Sequence, residues 1–113
     1  MLWTKTSTLI KEMLNLSELI WSEWLEFNSD QVKNASNKSG VFRMHASMKM
    51  YYIGSSDDIK TALTEKLSDE CTSKAKKFCY ANCEKHKKIS DMLLDDFKHR
   101  HNGELPKCME SSF

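Results

Sequence analysis

The sequence predicts an α+β domain: a small three-stranded sheet, mixed or antiparallel, flanked by helices and preceded by a long N-terminal amphipathic helix. Three observations predict it. Apolar residues from Leu9 to Phe27 recur at steps of three and four, the helical period. Two strand-like runs, Val41–Ala46 and Met50–Ile53, flank a short connection, which is the pattern of a hairpin. Two further helical stripes follow, Ile59-Leu63-Leu67 and Ile89-Met92-Leu93-Phe97, with a short apolar run between them.

Taken in order, Thr8 to Asn28 reads as the first helix. Leu9, Met13, Leu16, Ile20, Trp24 and Phe27 lie on one face, and the hydroxyl of Ser7 suits an N-cap. Trp21 falls off that stripe and either widens the buried face or is exposed. Packing on a core is the main use expected of this helix. Docking a partner or a second copy is the alternative. A membrane surface is disfavoured, because the polar face is acidic at Glu12, Glu18, Glu23 and Glu26.

Ser29 to Ser39 is polar, rich in Asn and Ser, and reads as a loop. Gly40 opens the hairpin, whose strands are joined through Ser47-Met48-Lys49. Asp57 or Asp58 can cap a helix from Ile59 to Leu67. Ser68 to Lys77 is polar, and Phe78–Ala81 reads as a third strand. A last helix runs from Lys87 to His101, with Gly103 suited to its left-handed stop and Pro106 beyond. The whole chain reads as one domain, with residues 1–39 as N-terminal helix and loop and residues 40–108 as the core.

Composition fits a globular domain with one core: 40% hydrophobic and 29% charged residues over 113 positions. The net charge of +1 provides no global field for nucleic acid to follow. Residues 71–113 nevertheless hold nine basic against six acidic side chains, with the excess at Lys74, Lys76, Lys77, Lys85, Lys87 and Lys88. A phosphate-contacting edge is one reading of that cluster. A solvated lysine-rich turn is the plainer one. Met1 to Ile10 lacks a secretory pattern, and no stretch approaches a membrane span. A cytoplasmic protein with mostly reduced cysteines is therefore expected.

One arrangement carries more than composition does. Gly40-Val41-Phe42 opens one strand, and Tyr51-Tyr52-Ile53-Gly54-Ser55-Ser56 closes the next. The pattern continues through Asp58-Ile59-Lys60, Phe78 to Tyr80, Leu93-Leu94-Asp95-Asp96-Phe97 and Gly103-Glu104-Leu105-Pro106-Lys107-Cys108. It resembles the GIY-YIG nuclease domain over residues 40–108. The resemblance implies a metal-dependent endonuclease fold. Its chemistry rests on two tyrosines of the signature strands, an arginine on the next helix and a metal-binding glutamate on the later helix.

Those implied positions are mostly substituted here. The first tyrosine falls on Phe42 and the second on Tyr52. The arginine falls on Ala62, where the nearest useful cation is Lys66, one turn further on; Lys60 should point elsewhere. The glutamate falls on Ser90. Asp91 is one residue away and about 100° round the helix. The implied reading is a catalytically degenerate domain that binds nucleic acid, DNA or RNA, or a protein. The alternatives are an endonuclease with a rearranged site, using Tyr52, Lys66 and Asp91 with Mg or Mn, and an interaction module that uses the first helix. No other cofactor is expected.

Cys71, Cys79, Cys83 and Cys108 with His86, His99 and His101 raise the question of zinc. Only Cys79 and Cys83 have a useful spacing, and Cys79 falls on a strand, so separate thiols are the expected state. Nothing in the spacing supports a thiol nucleophile. Tyr51 and Tyr52 should point to opposite faces of their strand.

Overall fold

The computed structural model describes residues 19–110. Its sheet has four strands: β1 (Leu25–Glu26), β2 (Gly40–Ala46), β3 (Lys49–Ser56) and β4 (Lys77–Asn82), ordered β1-β4-β2-β3. All three pairings are antiparallel. The helices are α1 (Ser29–Lys33), α2 (Ile59–Leu67), α3 (His86–Arg100) and α4 (Lys107–Glu110), with a 3₁₀ turn over Thr72–Lys74.

Two expectations are corrected at the N-terminal side. The expected helix from Thr8 to Asn28 is not helical over its described part, and residues 1–18 lie outside the described residues. Leu25 and Glu26 pair with Phe78 and Lys77, which adds a fourth strand to the three expected. Ser22 lengthens that edge, with its amide donating to the Tyr80 carbonyl and its hydroxyl accepting from the Tyr80 amide. The reason is the open flank of β4: its unpaired amides and carbonyls need partners. Trp and Phe residues spaced for a helix serve equally well along a strand, so periodicity alone could not decide. The expected loop at Ser29–Ser39 also begins with α1, capped by the Asn28 side chain accepting from the Gln31 amide at 2.9 Å.

The hairpin is as expected. Its turn is tighter, with Ser47 and Met48 both at positive φ (50° and 66°), the geometry of a two-residue hairpin turn. Between Met44 and His45 the register shifts: Met44 faces Tyr52 but His45 faces Met50. Tyr51 is the extra residue of that bulge. Both tyrosines therefore pack against the same apolar cluster, contrary to the expectation of opposite faces.

Strand alternation divides the core. Phe42, Met44 and Phe78 face α1 and α2, where Val32, Ala35, Ile59 and Leu63 meet them. Val41 and Ala81 face the other way, against Ile89 of α3. Gly40 leaves room for β4 beside it and α2 above it, because a Cβ there would lie 2.2 Å from the Ala81 carbonyl oxygen and 2.7 Å from Ile59 Cδ1. Asp58 caps α2, accepting from the Thr61 amide and hydroxyl at 3.1 and 2.9 Å. His86 begins α3 and bonds Asp57 at 2.7 Å, which fixes that helix to the turn after β3. At the far end of α3, Asn102 and Gly103 take positive φ (56° and 86°), and the Gly103 amide returns to the Lys98 carbonyl at 2.7 Å.

Cys71 and Cys108 form a disulfide between the turn after α2 and α4. This corrects the expectation of four separate thiols. The two cysteines are 37 residues apart, and only the folding of α4 against β3 brings them together. Cys79 is a free buried thiol and Cys83 is half-buried.

Candidate functional site

The site begins with strand alternation. Phe42 and Tyr52 emerge from neighbouring strands on the α2 side of the sheet, and their rings stack at 5.8 Å with planes 13° apart. Gly54 makes room for the stack. A Cβ there would lie 2.5 Å from the Tyr52 ring and 3.1 Å from Phe42. Phe42 is buried and Tyr52 half-buried, so the stack runs from the core to the surface. Ala62 packs against the same cluster from α2. One turn later, Lys66 places its ammonium 4.2 Å from the centre of the Tyr52 ring. A cation over an aromatic face gains roughly 0.5–1 kcal/mol where solvent reaches it.

Of the positions the resemblance implies, Phe42, Tyr52 and Ala62 thus come together, and Lys66, the cation one turn from Ala62, joins them. Ser90 and Asp91 do not join them. Both are on α3, whose Ile89 packs against the opposite face of the sheet. Ser90 is buried and Asp91 exposed. Ser90 offers a hydroxyl where a divalent metal needs a carboxylate. Among the described residues, no three His, Cys, Asp or Glu side chains are grouped to hold a metal ion.

The lysines divide as well. Lys74 and Lys76 are exposed between α2 and β4. Lys77 alternates to the far face and pairs with Glu26 at 3.7 Å. Asp69 shapes the turn before Lys74, accepting from the amides of Cys71 and Thr72 at 2.9 and 3.0 Å. Those bonds hold its carboxyl below the usual carboxylate value. The thiols are poor nucleophiles here. Burial pushes both Cys79 and Cys83 up, and only the neighbouring Arg43 pulls Cys79 back.

No family model matches the chain, and no curated protein matches it. A solved structure does. The chain is similar to the GIY-YIG N-terminal endonuclease domain of UvrC from Thermotoga maritima, a point mutant crystallised with the catalytic divalent cation bound. The TM-score is 0.52 at 15% identity, over 70% of this chain and 90% of that one. The chain has a GIY-YIG-like fold. At that identity the likeness lies in the arrangement of strands and helices, and the chemistry has to be read from the residues themselves.

Sequence reasoning missed a second constellation on the opposite face of this GIY-YIG-like sheet. Arg43 and His45 alternate with Phe42 and Met44 along β2. The Arg43 guanidinium lies 3.9 Å from the Trp21 ring centre and 5.2 Å from that of Trp24, and Trp24 meets His45 edge-on at 4.2 Å. The signal was present: a strand with two polar residues on one face and apolar residues on the other needs something polar to meet the first.

Proposed function

We propose that this GIY-YIG-like chain is a single domain that binds nucleic acid along its α2 side and does not cut it. One observation carries the reading. The four positions Phe42, Tyr52, Ala62 and Lys66 assemble, yet they hold one hydroxyl and one lysine, with no arginine and no carboxylate. An aromatic ring beside a cation suits a base and its phosphate. Hydrolysis of a phosphodiester needs a held metal or several oriented donors, and losing one such donor alone costs roughly 100- to 1000-fold in rate. Lys66, with Lys74 and Lys76 as the exposed cations that follow, would contact the phosphates. Lys77, which faces away and is paired with Glu26, would not.

The decisive test is nicking of supercoiled plasmid with Mg or Mn, alongside a Tyr52→Phe control. No cleavage by either protein is the expected result. Cleavage that disappears in Tyr52→Phe would restore the endonuclease reading with Tyr52, Lys66 and Asp91. Binding to short DNA and RNA is then measured at two salt concentrations. Two or three phosphate contacts weaken affinity roughly 10- to 40-fold between about 50 and 200 mM salt. Affinity that is absent, or indifferent to salt, overturns the nucleic-acid part.

The interaction-module reading loses Leu19–Asn28 as a docking helix, because the sheet edge uses those residues. Light scattering tests self-association by any other surface. No helix among the described residues is long and apolar enough to cross a membrane. We place the protein in the cytoplasm, where the Cys71–Cys108 bond would meet reducing conditions. Alkylation of the protein in intact cells checks this, and a fully oxidised pair would argue for an oxidising compartment.

A further inference from the structure

The face of the sheet opposite Tyr52 holds an open cleft of about 440 Å³ between β2, β3 and α3. That is within the range of small-molecule sites, roughly 300–1,000 Å³. Its walls are of two kinds. Ile53, Leu93 and Phe97 give an apolar side, and Phe97 carries His101 stacked on it at 4.0 Å. Arg43, His45, Lys49 and Arg100 supply the other. Asp96, the one carboxylate that the described residues bring to the wall, is already bonded to Arg100 at 3.2 Å. Three permanent cations (Arg43, Lys49, Arg100) thus stand against one acid.

Arg43 is the informative residue. It projects from a central strand, and among the described residues no carboxylate pairs with it. Within the same residues its Nη2 reaches only the Cys79 sulfur at 3.5 Å, and its Nε is buried without a partner, as is Nδ1 of His45. A half-buried guanidinium that lacks a counter-charge is costly unless something neutralises it. Trp21 covers one face of that guanidinium, Arg43 lines the cleft, and a planar fork of N–H groups matches a phosphate.

From this we infer that the cleft binds a small organic phosphate with a planar body, of the nucleoside monophosphate class. The phosphate sits against Arg43 and Lys49, and the body lies along Leu93 and Phe97. The site is separate from the proposed nucleic-acid surface, with the sheet between them, so either can fail without the other.

The test uses the full-length oxidised protein and adenosine monophosphate, followed by calorimetry and by amide shifts in NMR. Binding at roughly 1 mM or tighter is expected, with adenosine and inorganic phosphate each weaker by about tenfold or more. Shifts should concentrate at Arg43, Ile53 and Leu93 and spare Lys66. Arg43→Met should abolish binding. Lys49→Glu, at an exposed position in the wall, should weaken it roughly tenfold, and it decides the matter if Arg43→Met does not fold. The proposal is overturned by no binding at 10-fold higher ligand, by adenosine binding as well as its phosphate, by shifts at Lys66 instead, or by unchanged affinity in Lys49→Glu.

Discussion

The two faces of the central strands differ in what they leave unfinished. On the α2 side, Phe42 and Met44 are buried among apolar neighbours, and the Phe42–Tyr52 stack continues that packing outward. On the α3 side, Arg43 and His45 come from the same strand but keep buried nitrogens without partners and border an open cleft. The comparison teaches that the resemblance directs attention to the better-packed face, while the unsatisfied chemistry lies one residue over in the strand alternation.

Measurements on both faces would break or sharpen this contrast. The largest effect should come from Phe42→Ala, which empties a fully buried ring site and should cost about 3–5 kcal/mol in urea unfolding. If Arg43→Met costs as much, the α3 face is equally structural and the contrast fails. The expectation for Arg43→Met is a change within about 1 kcal/mol, because an unneutralised cation is replaced by an apolar chain of similar length.

Next comes Phe42→Tyr, which restores the hydroxyl that the resemblance implies. It should destabilise by about 1–3 kcal/mol, since Phe42 is 1% exposed and surrounded by carbon. A neutral result would reveal room for a hydroxyl and revive the catalytic reading. Gly40→Ala should fall in the same range of about 1–3 kcal/mol and disturb both layers at once, because its new methyl would strike the Ala81 carbonyl and the Ile59 side chain.

The smallest effects are electrostatic. Asp58 and Asp69 are both held below the usual carboxylate value, chiefly by backbone amides of Thr61 and of Thr72. Their folded values lie below their unfolded ones, so this stability is present above the ordinary carboxylate range. It is lost as pH falls through the depressed values. Melting temperature should therefore drop more steeply below about pH 4 than in a Asp58→Asn, Asp69→Asn double variant. His45 is lowered by burial first, then by Lys77 and Arg43. It resists protonation in the folded state, so its contribution is complete above its ordinary value and declines as pH falls below it. An NMR titration should find His45 protonating at lower pH than an exposed histidine, and a ring that protonates at or above the ordinary value would contradict the burial.

Much of this fold was legible in the sequence, for identifiable reasons. The hairpin, α2 and α3 follow from local signals: alternation, the Asp58 cap, and an apolar stripe that ends near Gly103. What could not be read was set by distant partners. Leu19–Asn28 carries a helical stripe, but the amides and carbonyls of β4 recruit Ser22, Leu25 and Phe27 as an edge. The Tyr51 bulge depends on register across two strands, and the Cys71–Cys108 bond on where α4 lands. Among the site positions, sequence spacing placed Lys66 one turn from Ala62, and the structure puts it over the Tyr52 ring. Spacing said nothing of Lys77 turning away, because that required knowing which face of β4 is inside.

The Cys71–Cys108 bond has a topological consequence. It closes a covalent ring that contains the whole of β4, one of the two interior strands, and the whole of α3. A single protease cut inside that ring yields two pieces that stay joined through the bond. A nicked molecule should run as intact on a non-reducing gel and separate only after reductant, while a cut in the Ser47–Met48 turn, outside the ring, frees no such linked pair: its fragments are held by the sheet alone.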